Sequence, residues 1–342
     1  MTTVFTPSHQ KTCLRSTMSV STLWRSLLMA IALPLATAQA QPNDYPNKPV
    51  KIIVAYSAGG PMDVGARALA AGLTKSLGQP FVVENRPGAS GQIGTSAAMR
   101  AKPDGYTLMY AIADQLVINP HIYPTTTPDP LTAFDPVAPL GRMPMVWAVR
   151  PDFNIETGQE LVKMAKDSPG KLTYASWGAG SLGHLGGAMM EQLADIEMLH
   201  IPYQGGAPAQ AALIAGQVDM LLVQVPFAEQ YIKAGKMKSL GLSSPTRNPD
   251  YPTIPTLAEQ GFPEYSAETW SGILVPHGVP ETVKIKLANA INEFVTSPEG
   301  DAQLTEIGFD GMTESPEAFE AFIRSESARW ENVIKARKIS VQ

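Results

Sequence analysis

Short apolar runs alternate with amphipathic stretches along most of this chain. The runs at 50–55, 81–84, 106–111, 145–149, 172–175, 198–201, 218–223, 238–242 and 271–275 read as strands. Each is short, rich in Val, Ile, Leu or Tyr, and bounded by turn-forming residues. Between several of them the apolar period lengthens to that of a helix. Over 63–78, Ala66, Leu69, Ala70, Leu73 and Leu77 share one face, with Asp63 placed to cap the helix and Gly78 to end it. Over 281–295, Val283, Leu287, Ala290, Ile291 and Phe294 do the same. A last helix opens at Ser315-Pro316, a cap followed by proline at the first helical position, and presents Phe319, Phe322, Ile323, Trp330 and Ile334. Such alternation predicts an α/β fold with largely parallel sheets and helices on both faces.

Sheets of this kind bind ligands at the carboxyl ends of their strands. Three of those ends share a character. The run 50–55 leads to Tyr56-Ser57-Ala58-Gly59-Gly60, with Met62 and Asp63 just beyond. The run 172–175 leads to Ser176-Trp177-Gly178-Ala179-Gly180-Ser181, with His184 close behind. The run 198–201 leads to Pro202-Tyr203-Gln204-Gly205-Gly206. Each turn precedes a helix, so each is expected to offer free backbone N–H groups and the positive end of a helix dipole.

Common catalytic readings of these turns fail. A P-loop needs a lysine that the first turn lacks. GAGSLG (178–183) matches the dinucleotide fingerprint, but the next strand ends in His200-Ile201-Pro202-Tyr203, without the acid that would hold a ribose. His121, His184, His200 and His277 show no metal-ligand spacing, and no nucleophile elbow is present. Asp63 reads better as a helix cap than as an acid catalyst. His184 reads either as a partly exposed helix residue or as a pocket group. Trp177, inside a glycine-rich turn, fits a ligand wall. What remains is a binding site without chemistry, without metal or cofactor. Its backbone donors, small hydroxyls and amides at Gln115, Gln204 and Gln224 suit a carboxylate.

Composition narrows the setting. The 342 residues carry a formal charge of −5, are 44% hydrophobic, and suffice for one large domain or two smaller ones. The first forty hold Lys11, Arg15 and Arg25, no acid, and SLLMAIALPLATAQA at 26–40. This reads as a secretory signal cut after Ala40, with Met18 as a possible alternative start. Its apolar run is too short for the roughly 20 residues of a spanning helix. Cleavage would remove Cys13, the lone cysteine, and leave a charge of −8. A nucleic-acid partner is disfavoured at that charge. No second long apolar run suggests a membrane span.

Residues 45–108, from YPNKPVKIIVAYSAGGPMD through ENRPGASG and KPDGYTL, resemble the opening of the Bug family, the TctC-like solute receptors of tripartite tricarboxylate transporters. The resemblance continues through GAGSLGHL (178–185), IPYQGGAPAQAALIAGQVDM (201–220), IKAGKMKSLGLSS (232–244), YPTIPTLAEQGFP (251–263) and WSGILVPHGVP (270–280). It implies a type II periplasmic binding protein: two α/β lobes, 41–143 plus 268–342 and 144–267, joined by crossing segments near Met145–Val149 and Glu268–Ile273. It further implies a monomeric periplasmic receptor, not an enzyme, that closes on a small carboxylate and delivers it to a membrane permease. The expected ligand-binding residues are Tyr56, Ser57, Ala58, Gly60, Met62, Asp63, Gln115, Ser176, Trp177, Gly180, Ser181, His184, Tyr203, Gln204, Gly205 and Gln224. Met62, Trp177 and Gln224 depart from the family's usual small or polar residues and aspartate, which favours a ligand with an apolar or aromatic body over an amino acid. Two rivals stand beside this reading. One is a secreted hydrolase using Ser57 or Ser181 with His184. The other is an orphan receptor that signals through a sensor protein.

Overall fold

The computed structural model describes residues 45–123 and 128–340. The signal expected over 1–40 lies outside them. Eleven strands form two sheets among the described residues. They are β1 (Val50–Val54), β2 (Phe81–Asn85), β3 (Thr107–Ile112), β4 (Phe134–Met143), β5 (Met145–Val149), β6 (Thr173–Ser176), β7 (Leu199–Pro202), β8 (Met220–Gln224), β9 (Lys238–Leu242), β10 (Thr269–Pro276) and β11 (Asp310–Gly311). The first sheet runs β11-β4-β10-β3-β1-β2 and the second β7-β6-β8-β5-β9. The longer helices are α1 (Pro61–Leu77), α2 (Gln92–Met99), α3 (Gly158–Asp167), α4 (Leu182–Ala194), α5 (Gly206–Ile214), α6 (Val225–Lys233), α7 (Glu281–Thr296), α8 (Pro298–Glu306) and α9 (Pro316–Ala336).

The central strands β3, β5, β8 and β10 are buried on both faces, and strand side chains alternate between two cores. In β5, Met145, Trp147 and Val149 join one core while Val146 and Ala148 join another. In β3, Met109 and Ala111 face the first core and Leu108, Tyr110 and Ile112 a third. That is the period of two expected of a pleated strand covered by helices on each side. β1 lies parallel to both β2 and β3, and β6 lies parallel to both β7 and β8. Their carboxyl ends therefore gather at one edge of each sheet.

β4 and β11 escape the hydrophobic pattern. FDPVAPLGRM contains Pro136, Pro139 and Gly141, which read as a loop. The strand forms because β10 shifts register beside it, between Ser271 and Gly272 and again between Ile273 and Leu274. Such irregularities are where a sheet tolerates proline.

The chain changes sheet with almost no linker. Only Pro144 separates β4 in the first sheet from β5 in the second. The strand Met145–Val149, expected to cross, belongs wholly to the second sheet, and the crossing itself is concentrated at Pro144. The return passes through Ala267 and Glu268, where Ala267 N–H donates to Ser243 O and Ser243 N–H to Met145 O. Helix α9 ties the lobes together. Its Phe319, Ile323 and Trp330 share a core with Met109 and Leu116 of one lobe and Leu185 and Met189 of the other. Arg337, just past its end, pairs with Glu191 of α4 at 3.1 Å.

Candidate functional site

The first glycine-rich turn follows β1. Its helix starts two residues earlier than the periodicity suggested, because Pro61 takes a first-turn position and Gly60 becomes the N-cap. Asp63 is thus not the cap but an acid in the first turn. Its carboxylate is buried and points back at the turn. Oδ2 accepts the Gly59 N–H at 2.9 Å and Arg67 Nε at 3.0 Å, and Oδ1 accepts Asn85 Nδ2 at 2.9 Å. The same Asn85 amide donates to Tyr56 O at 3.1 Å. Burial pushes the Asp63 carboxyl up, but these donors outweigh it and hold its pKa below the ordinary value. Asp63 therefore locks the turn rather than facing a ligand, and Gly59 N–H is not free. Ser57 and Ala58 are exposed, Tyr56 and Met62 partly so.

The second turn is equally self-consistent. Ser181 caps α4, accepting His184 N–H at 3.4 Å and donating to Gly178 O at 2.6 Å. Ser176 is fully buried. Its hydroxyl donates to Gly178 O at 2.9 Å and lies 2.6 Å from His200 Nε2. Gly180 N–H, expected to be free, donates to His184 Nδ1 at 3.1 Å. The His184 ring stacks on His200 with centroids 3.8 Å apart and planes 4° apart. Desolvation lowers the His184 pKa to about 4. Desolvation and the neighbouring His184 lower that of His200 to about 3. Both rings are neutral at ordinary pH. Trp177 lies over Gly183, where an added Cβ would come within 2.7 Å of its ring. Its indole thus has a helix to pack on, which the sequence did not reveal.

The third turn, Tyr203-Gln204-Gly205, precedes α5 and sits beside the second, with Tyr203 N–H donating to Ser176 O at 2.9 Å. Gly205 is the N-cap, at φ 113°, with no side-chain cap bond. Gln224 ends β8 at the same edge and is partly exposed. Gln115 does not join the site. Its Oε1 accepts Ile112 N–H at 2.9 Å, and its buried Nε2 is turned toward Gly91.

The two edges approach each other. Pro226, just past β8, lies against Gly308 of the other lobe, and Ile307 beside it lies against Gly65 in α1. In the three turns at these edges, the N–H groups of Ala58, Ala179 and Gly205 donate to no acceptor among the described residues. Such an arrangement can hold an anion by backbone donors. No catalytic dyad forms with Ser57 or Ser181, since the Ser181 hydroxyl is committed to Gly178 and the His184 Nδ1 to Gly180. Sequence reasoning missed Asn85 and His200. The asparagine stands in the quoted ENRPGASG segment, and its place at a strand end was the available signal.

The model of the family described as "Tripartite tricarboxylate transporter family receptor" matches residues 65–339. The chain belongs to this family. The receptor is similar to Protein BugT of Bordetella pertussis, 32% identical over 314 residues that cover 90% of this chain and 96% of BugT. Among solved structures it resembles R. palustris Rpa4515 with adipate, at TM-score 0.75 and 31% identity, covering 87% of this chain and 100% of that one. It likewise resembles the periplasmic binding protein BugD, at TM-score 0.71 and 32% identity, covering 87% and 100%. The fold is accordingly the two-lobed α/β fold of periplasmic binding proteins, and the chain is a solute receptor, not an enzyme. No helix among the described residues is long and apolar enough to cross a membrane.

Proposed function

We propose that this receptor is exported by a signal within residues 1–40, works as a periplasmic monomer, and captures an organic carboxylate between its lobes for delivery to a tripartite permease. In this reading the lobes divide as 41–143 plus 268–342 and 144–267. The observation that carries it is the set of unpaired backbone donors in glycine-rich turns at the carboxyl edges of both sheets, at Ala58, Ala179 and Gly205, with no lysine or arginine supplied by the three turns. Closure brings the donors together around the acid group by a hinge motion. Tyr56, Met62, Trp177 and Tyr203 are partly exposed beside them and give the ligand an apolar or aromatic body to rest against. The adipate held by the R. palustris relative supports the carboxylate class.

Thermal shift against aliphatic and aromatic mono- and dicarboxylates and acidic amino acids tests this. A ligand at one hundred times its dissociation constant stabilises the fold by about 2.7 kcal/mol, a rise of a few degrees. A shift restricted to carboxylates with an apolar or aromatic body is expected. A panel without any shift refutes the carboxylate reading.

A further inference from the structure

Asp114 stands two residues past the end of β3, at the same carboxyl edge as the first glycine-rich turn. Val54 of β1 pairs with Tyr110, so Tyr56 is level with Ile112 and Asp114 lies just past it. On the other side Ile112 pairs with Ser271 of β10, close to the return crossing. Asp114 keeps part of its surface open while Ala113, Gln115 and Leu116 around it are buried. The only donor to its carboxylate among the described residues is its own backbone N–H.

That isolation is out of character for this protein. Asp63 has Arg67, Gly59 and Asn85. Glu191 has Arg337 and the Met198 N–H. Asp219 has Arg150 and Thr173. Asp114 has no cation, and burial pushes its pKa up to about 6. The neighbouring Tyr56 hydroxyl feels its charge and also makes no hydrogen bond among the described residues. A recessed acid without a partner is costly unless something else donates to it.

We propose that Asp114 is a specificity-determining residue: the bound carboxylate carries, away from its acid group, an N–H or O–H donor that the Asp114 carboxylate accepts. The inference rests on the receptor reading above and narrows its ligand class. The glycine-rich turns take the acid end, and Asp114 reads the other end. A dicarboxylate would set its second negative charge against Asp114 and be rejected. A hydroxy, phenolic, amino or amide-bearing carboxylate fits both ends.

The test is calorimetric titration of the whole protein with two matched pairs, 6-hydroxyhexanoate against adipate and 4-hydroxybenzoate against terephthalate. The hydroxy member of at least one pair is expected to bind about tenfold or more tightly, as for a site built to accept a donor. Asp114→Asn keeps the shape and can donate to a second carboxylate, so it should invert the preference. Asp114→Ala should erase it, with a thermal melt of each variant showing that the fold is kept. Tighter binding of the diacids by the wild type, or a preference unchanged in Asp114→Asn, overturns the role of Asp114 while leaving the receptor standing. Failure of all four compounds to bind overturns the carboxylate reading and this inference with it.

Discussion

The stacked His184 and His200 rings make the stability of this receptor depend on pH in a defined direction. Both are neutral in the fold, with pKa values lowered to about 4 and about 3 from 6.5. In the unfolded chain both regain the ordinary value, so below pH 6.5 the unfolded state binds more protons and gains on the folded one. Stability from the pair is complete above pH 6.5 and falls as the pH drops towards 4. At pH 5 each ring costs about 2 kcal/mol relative to pH 8, from 1.36 kcal/mol per pKa unit. Water reaching the part-exposed rings screens some of this, leaving about 2 to 4 kcal/mol for the pair. The assay is urea unfolding at pH 8 and pH 5 for the wild type and for the double variant His184→Gln, His200→Gln. Carboxylates elsewhere contribute equally to both proteins and cancel. The double variant should lose less stability between the two pH values by that amount. An identical loss in both proteins would refute the claim that the rings are held neutral by burial and by each other.

Glu268, at the return crossing, should show the opposite sign. Burial raises its pKa to about 7 even with Arg142 nearby, so the fold binds the extra proton and loses stability as pH rises from 4.5 to 7. Glu268→Gln should therefore stabilise the protein by about 3 kcal/mol at pH 8 and by little at pH 4.5, read from denaturation midpoints. Asp63→Ala strips the Gly59 N–H and Asn85 of their acceptor, and should cost about 1–3 kcal/mol in urea unfolding while weakening carboxylate affinity measured by calorimetry. Gly187→Ala would place a Cβ 2.2 Å from the Tyr174 ring, and overpacking of about 1–3 kcal/mol should lower the melting temperature. An unchanged melt would mean that the ring yields freely.

Most of the fold could be read from the sequence because both faces of the central strands are buried, so Met145–Val149 stands out as an unbroken apolar run and Val50–Val54 as one interrupted only by Lys51. β4 could not, because its prolines are tolerated only through the irregular register of β10, a fact about a partner far along the chain. The same division runs through the site. The three turns were visible as glycines after strands. What their side chains do was not visible, because it depends on groups brought in by folding. Ser176 looked available to a ligand until His200 arrived beside it, and Gln115 looked forward until Gly91 left room behind it. Asp114 was missed for the converse reason: its meaning lies in lacking a partner, which no linear sequence displays.

The single residue between β4 and β5 makes chain length at that point as specified as composition. β5 exposes Trp147 to one core and Val146 and Ala148 to the other. One residue inserted beside Pro144 would invert those faces and drive the indole into a space shaped for small side chains. The joint between the lobes thus tolerates substitution far better than insertion. Ligands of different size across this architecture have to be met by altering the turns at the sheet edges, because the spacer that would separate the lobes has no slack to lengthen.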